Sequence, residues 1–195
     1  MTHRYIYTDK VGAGPEHPKK RWGLFSTELT EAEARARYEL DAARREDWFG
    51  IVRLDADQDR PVSYLQMCPR ANGVSLQKLT PQGSIEADYV WGAYYDPSNL
   101  EPYTGDEHRV FLGGVTWYAY PDDDRFYRRG QAAGQVSMDF RTDGYAKEEQ
   151  VTNRGFGQPA DVETREFQDV DVSANWFDIP AFGEWDAFFH PDTHA

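Results

Sequence analysis

The side chains best suited to chemistry in this chain are carboxylates, and the first pair lies in a strand-like run. In SIEADYVWGAYYD (84–96), Ile85, Ala87, Tyr89, Trp91, Ala93 and Tyr95 alternate with Glu86, Asp88, Val90, Gly92 and Tyr94. Period-two alternation rich in aromatic residues marks a strand with one face on a core. Glu86 and Asp88 then lie opposite the aromatics. Enclosed, they would be costly to hold charged and would become candidate acid–base groups. Facing water they are ordinary outward residues, which is the expectation. The stripe Tyr89, Trp91, Tyr95 and Trp117 reads as a core built from aromatics or, alternatively, as the lining of a ligand pocket.

A second carboxylate group, Asp122, Asp123 and Asp124, follows Pro121 and is flanked by Tyr118, Tyr120, Phe126 and Tyr127. Acidic groups beside aromatics suit a protein–protein contact, in which charge steers the encounter and a ring fills a cleft. The same aspartates also fit a solvated turn, or a contact with Arg125, Arg128 and Arg129 of a second copy. Interleaved basic and aromatic residues from Arg125 to Arg129 suit single-stranded nucleic acid. One such patch on a chain of net charge −13 does not supply a phosphate-binding surface.

Other patterns fail on spacing. Asp55, Asp57 and Asp59 open like a calcium loop, but Arg60 and Gln66 stand where that loop needs Gly and Glu. The stretch VGAGPEHPKKR (11–21) offers Lys19, Lys20 and Arg21 without the Gly-Lys-Ser/Thr ending of a P-loop. His3, His17, His108, His190 and His194 show no zinc spacing on one element, and nothing in the sequence brings Cys68 to His108. GxSxG and HExxH are absent. With 34 acidic residues, catalytic pairs can be drawn at will. We therefore assign no catalytic residue, metal ligand or cofactor, and no family motif is present.

The elements that must position these groups are mostly strands. Arg4 to Asp9 begins the series, and 22–25 is a further short extended piece. Runs at 48–56, 62–68, 74–80, 84–96 and 109–120 follow, then 135–141, 145–153 and 161–172, punctuated by turn residues such as Asn72-Gly73 and Thr142-Asp143-Gly144. Gly113-Gly114 suggests a bulge, and the loop after Tyr120 leaves room for a helical turn. One helix is expected over Thr30–Arg45. Thr30 and Glu33 form a capping box, and Leu29, Ala32, Ala36, Leu40 and Ala43 a narrow apolar stripe. The tail 175–190 predicts a short helix capped by Asp178, with Phe and Trp side chains packing back on the body. This is an α+β chain, mainly antiparallel β. About nine strands form a strongly curved sheet or partly open barrel, with the helix packed on one side, in a single domain spanning 1–195.

Composition sets the outer bounds. Leu, Ile, Val and Phe total only 36 of 195 residues, a fraction associated with disorder at high net charge. Twelve Tyr and six Trp, placed within the strand patterns, make up the apolar deficit. The acidic balance argues against general nucleic-acid binding and against anionic membranes, and is compatible with a basic protein partner. Sixteen Arg against five Lys, with four Ile and four Asn, is the bias of a GC-rich genome and leads us to expect a bacterial source. One cysteine and no apolar signal core or span fit a cytoplasmic protein.

Three functional classes follow. The leading expectation is an acidic interaction protein of the inhibitor or immunity type, occluding a basic partner enzyme through Asp122–Asp124 and the neighbouring rings. The second is a small-molecule-binding barrel or enzyme that uses the aromatic pocket with Glu86 or Asp88. The third is a phage or structural assembly component, for which a homo-oligomer would be diagnostic.

Overall fold

A computed structural model describes residues 4–9, 27–39, 49–55, 57, 59–68, 73–92, 109–155 and 158–193. Eleven strands form a single open sheet in which every pairing is antiparallel. In chain order they are β1 (Arg4–Thr8), β2 (Glu28–Leu29), β3 (Phe49–Leu54), β4 (Pro61–Cys68), β5 (Gly73–Leu79) and β6 (Ile85–Gly92). Then come β7 (Arg109–Ala119), β8 (Gly134–Phe140), β9 (Ala146–Thr152), β10 (Asp161–Phe167) and β11 (Trp176–Asp178). The spatial order is β10-β9-β8-β7-β6-β5-β4-β3-β1-β2, and β11 pairs with the first residues of β7, Arg109–Phe111. Among the described residues β2 and β10 do not meet, so the sheet is open and not a barrel. The strands exceed the expected nine mainly because β2 and β11, of two and three residues, carry no readable alternation.

Helix α1 is Glu31–Tyr38, entered through the expected box: Thr30 Oγ1 accepts from Glu33 N, and the Glu33 carboxylate accepts from Thr30 N at 2.8 Å. The rest of the anticipated helix, 40–45, lies outside the described residues. Its apolar stripe is corrected in part: Leu29, just before the helix, is buried as expected. Ala32 and Ala36 are exposed, and the buried residue is Ala34. Ala34 and Tyr38 share a face at i,i+4, and the Tyr38 ring meets Phe49, Phe182 and Trp185 at 5.3–6.0 Å. An aromatic of that area outweighs two methyl groups in choosing the buried face.

What covers the sheet is the C-terminal segment. The inner face carries Tyr5 and Tyr7 on β1, Phe49 and Ile51 on β3, and Leu65 and Met67 on β4. Val74 and Leu76 on β5, Ala87, Tyr89 and Trp91 on β6, and Val115 on β7 complete it. Phe177 of β11, Trp185, and Phe188 and Phe189 of the short helix α2 (Asp186–Phe189) close over them, each at most 5% exposed. Asp178 is thus the last residue of a strand and not a helix cap. The chain pairs with β7 there because Phe177 is drawn against Trp91, 5.4 Å away. A latch ends the segment: Asp192 ion-pairs with Lys78 and accepts from the Tyr89 hydroxyl at 2.9 Å. Burial pushes the Asp192 carboxyl up, but the bonds from Lys78 and Tyr89 outweigh it and hold the group below its usual range.

The turns follow their residue chemistry. Gly83 and Gly144 have φ of +88° and +85°, conformations that side-chain-bearing residues rarely adopt. Opposite β6, Gly113 is the extra residue where the register slips from Val90↔Gly114 to Trp91↔Leu112, the expected bulge. Gly73 opens β5, and the rest of the expected Asn72-Gly73 turn lies outside the described residues. The packing ranks two substitutions. Phe188→Ala, at a fully buried ring between Trp91 and Phe177, should cost about 3–5 kcal/mol in urea unfolding. Val90→Ala, on the other face at 51% exposure, should stay within about 0.5 kcal/mol. Comparable losses from both would contradict this assignment of faces.

Candidate functional site

On the opposite, outer face, the polar members of the strands converge around Asp88. Register places Gln77 of β5 and Thr116 of β7 directly beside it, with Tyr64 of β4 beyond Gln77. After β7 the chain turns at Pro121 and folds back over this face. Tyr120 O–H donates to Ile85 O at 2.8 Å, and Tyr127 N donates to Ser84 Oγ at 2.7 Å. The Tyr120 and Tyr127 rings stack at 5.5 Å and 12°, and the Arg125 guanidinium lies 4.8 Å over Tyr127. A single 3₁₀ turn, Arg129–Gln131, then sets the Arg129 guanidinium 2.6 Å from Asp88 Oδ2 and 5.7 Å over Tyr118.

Asp88 is consequently not an ordinary outward residue. Its side chain is 16% exposed, whereas Glu86, the extra residue where the register slips from Lys78↔Ala87 to Leu79↔Ile85, is open to water. Burial raises the Asp88 carboxyl above its ordinary range, against opposition from Arg129 and from the Gln77 N–H donated at 3.3 Å. Burial likewise raises the hydroxyls of Tyr64 and Tyr118, and pushes Tyr120 up to about 12. Gln77 Oε1 is buried without a partner.

The acidic loop is built on this base. Asp122 accepts from the Tyr127 hydroxyl at 2.6 Å and from Asp124 N at 3.1 Å, and those two bonds, in that order, hold its carboxyl below the usual range. Asp123 and Asp124 are exposed. Tyr127 is buried, and Tyr118, Tyr120 and Phe126 are half-buried. Two of the four flanking rings, Tyr120 and Tyr127, therefore brace the loop and do not reach out from it.

The proposed pocket lining is divided between the two faces. Tyr89 and Trp91 stack at 5.9 Å on the inner face, where Trp91 also meets Phe188 at 5.2 Å, so that space is filled. Trp117 shares the inner face but is 41% exposed, and Tyr95 lies outside the described residues. Two of the three calcium-like carboxylates are engaged elsewhere: Asp59 pairs with Arg4 at 2.9 Å, and Asp55 caps Asp57 N at 2.8 Å. An open depression of about 540 Å³ lies between Thr142–Gly144 and Asp169–Trp176. Asp143 and Asp171 in it cap the backbone N–H groups of Tyr145 and Ser173. Sequence reasoning missed Gln77, Tyr64 and Ser84, whose convergence needed the strand order. It noted Arg129 only as part of a basic run.

Asp88 binds its proton more tightly in the folded chain than in the unfolded one. Stability from this group is therefore greatest at low pH and falls as pH rises through the folded value. Asp88→Asn fixes the neutral form, and Arg129, with a side chain 43% exposed, can turn to water. We expect Asp88→Asn to be at least as stable as the parent at pH 7, with the difference shrinking in urea titrations as pH falls through the folded value. A large loss at pH 7 would mean that the Arg129 pairing outweighs desolvation. No family model, curated protein or solved structure matches this chain, so geometry and charge alone bear on what the face does.

Proposed function

We propose that this chain works by binding a basic protein through its outer face, as an acidic inhibitor or immunity-type protein that occludes a partner enzyme. The observation that carries the reading is the pre-set acidic loop. Asp122 is tied to a buried tyrosine whose backbone is held by Ser84, while Asp123 and Asp124 stay open to solvent beside it. A loop already fixed in place loses little conformational freedom on docking, so its charge acts at full strength. The net charge of −13 extends the same field over the molecule and favours fast, salt-sensitive encounter. Phe126, half-buried at the loop's far end, is the ring best placed to enter a partner's cleft.

A small-molecule site is the second reading, and Asp88 is the observation that favours it. A desolvated carboxyl with Tyr64, Tyr118, Gln77 and Arg129 around it could hold a polar ligand or move a proton. It differs from the sequence-level version in using the outer face alone.

The test is capture of partners on the tagged chain from a bacterial cytoplasm at low and moderate salt, followed by association kinetics with whatever basic protein is retained. Asp123→Asn/Asp124→Asn should slow association about tenfold in low salt with dissociation little changed, since peripheral charges act mainly on the encounter. Asp122 is left intact because its loss would loosen the loop itself. Unchanged association rates would remove the loop from the contact. Retention of a small molecule that Asp88→Asn abolishes would favour the second reading.

A further inference from the structure

Strand β10 ends the sheet, and all seven of its residues are exposed, Val162 to 55% and Phe167 to 39%. Among the described residues nothing pairs with its outer edge. Natural sheets blunt such edges with prolines, bulges, very short strands or a repelling charge. Here the ladder with β9 runs unbroken from Asp161↔Thr152 to Phe167↔Ala146 without a shift of register, and the strand contains no proline.

The hairpin upstream fixes which backbone groups are offered. Arg141 N donates to Tyr145 O and Asn153 N to Ala133 O, each at 2.9 Å, which identifies the hydrogen-bonded pairs at both ends of β8–β9. Bonded and non-bonded pairs alternate along an antiparallel ladder. Lys147, Glu149 and Val151 therefore bond to β8, while Ala146, Glu148, Gln150 and Thr152 bond to β10. Their partners on β10 are Phe167, Arg165, Glu163 and Asp161. That leaves the N–H and C=O groups of Val162, Thr164 and Glu166 directed away from the sheet.

We propose that this edge pairs with β10 of a second copy, antiparallel and centred on Thr164. Charge selects the register. Centred on Thr164, Glu163 lies opposite Arg165 of the second copy and Arg165 opposite its Glu163, with Thr164 against Thr164 and Val162 against the stem of Glu166. The neighbouring two-fold registers each carry a repulsion: Glu163 or Arg165 or Glu166 against its own copy, or Asp161 against Glu163. Opposite charges and Thr–Thr pairs stabilise when directly across strands, and like charges destabilise. Arg165 already lies 3.5 Å from Glu148 on β9, so in the dimer it sits between two carboxylates. The pairing is isologous and uses up the long edge of both copies. The other edge, β2, has two residues, so the assembly closes as a dimer and does not grow into a fibre. Only seven residues a side take part, which makes this a small interface and the dimer a weak, concentration-dependent one. The Asp122–Asp124 loop is not involved, and a pairing that closes at two copies is not the extended assembly of a structural component, so the dimer is independent of the function proposed above.

Analytical ultracentrifugation of the full chain over a range of concentrations tests this. The parent should pass from monomer to dimer. Thr164→Pro removes both central intermolecular bonds while leaving the ladder to β9 intact, because proline is tolerated where an edge N–H faces outward. It should remain monomeric with an unchanged circular dichroism spectrum. Glu163→Lys sets two like-charge pairs across the interface and should weaken the dimer at least tenfold, by about the sum of two reversed cross-strand pairs. Hydrogen exchange on the parent gives a readout free of folding effects: the β10 amides of Val162, Thr164 and Glu166 should gain protection only at high concentration. A parent that stays monomeric, a dimer that keeps those amides unprotected, or a dimer indifferent to Glu163→Lys would each overturn the proposal.

Discussion

The packing of Phe177, Trp185, Phe188 and Phe189 onto Trp91 and its neighbours is the interaction on which the rest depends. An open antiparallel sheet presents two faces, and one must be dry for the chain to fold. With 25 Leu, Ile and Val residues in 195, there are too few aliphatics to close that face with a layer of amphipathic helices. Aromatics do it instead, each burying ~150–250 Å². They are delivered by a short segment with only one strand, one helical turn and a 3₁₀ turn of its own. Tyr5 stacks on Phe189 at 5.5 Å and Tyr7 on Phe182 at 5.2 Å, so the same segment ties the first strand to the end of the chain.

Because the inner face is closed in this way, the outer face is free to be polar, and its chemistry follows from what the fold-back loop does there. Ile6, Val52, Leu54, Tyr64 and Leu79 form a smaller apolar cluster towards β1. Beyond it the face passes to Gln77 and Asp88, where water is displaced by the 121–133 loop. A carboxylate that was merely outward in a strand pattern becomes desolvated when a distant loop lies over it. The loop is held by hydrogen bonds from Tyr120 and Tyr127 to β6 and the turn before it. The acidic tip and the enclosed Asp88 are thus two consequences of one backbone excursion.

That dependence explains what was legible in the sequence. Strand alternation in 84–92 and 109–119, the capping box at Thr30, the turns at Gly83 and Gly144 and the bulge at Gly113 are local rules, written in the residues that obey them. The antiparallel character followed from short turn-rich connections. The buried stripe of α1 was misread because Ala32 and Ala36 look apolar in a list, whereas burial went to the face on which Tyr38 could reach Phe49 and Trp185. Asp178 was misread because the N-cap pattern is common, and the pull of Trp91 on Phe177 is not visible from positions 86 residues apart. The enclosure of Asp88 likewise needed Arg129, 41 residues downstream.

The sheet therefore divides into two parts with different physics. From β1 to β7 it is half of a core, and its stability comes from the aromatic layer. From β8 to β10 it is a ribbon whose strands are nowhere fully buried except at Ala146. Such a ribbon cannot be held by burial. It is held by an unbroken ladder, by cross-strand pairs such as Arg165–Glu148, and by the Arg154–Asp161 ion pair beside its last turn. Exposed pairs of this kind contribute little singly. The ribbon stays ordered chiefly because β8 is hydrogen-bonded along the second half of β7, whose other side is locked into the core. Burial thus falls away outward from Trp91 and is least at β10, whose outer edge no described residue pairs and which therefore has most to gain from a partner.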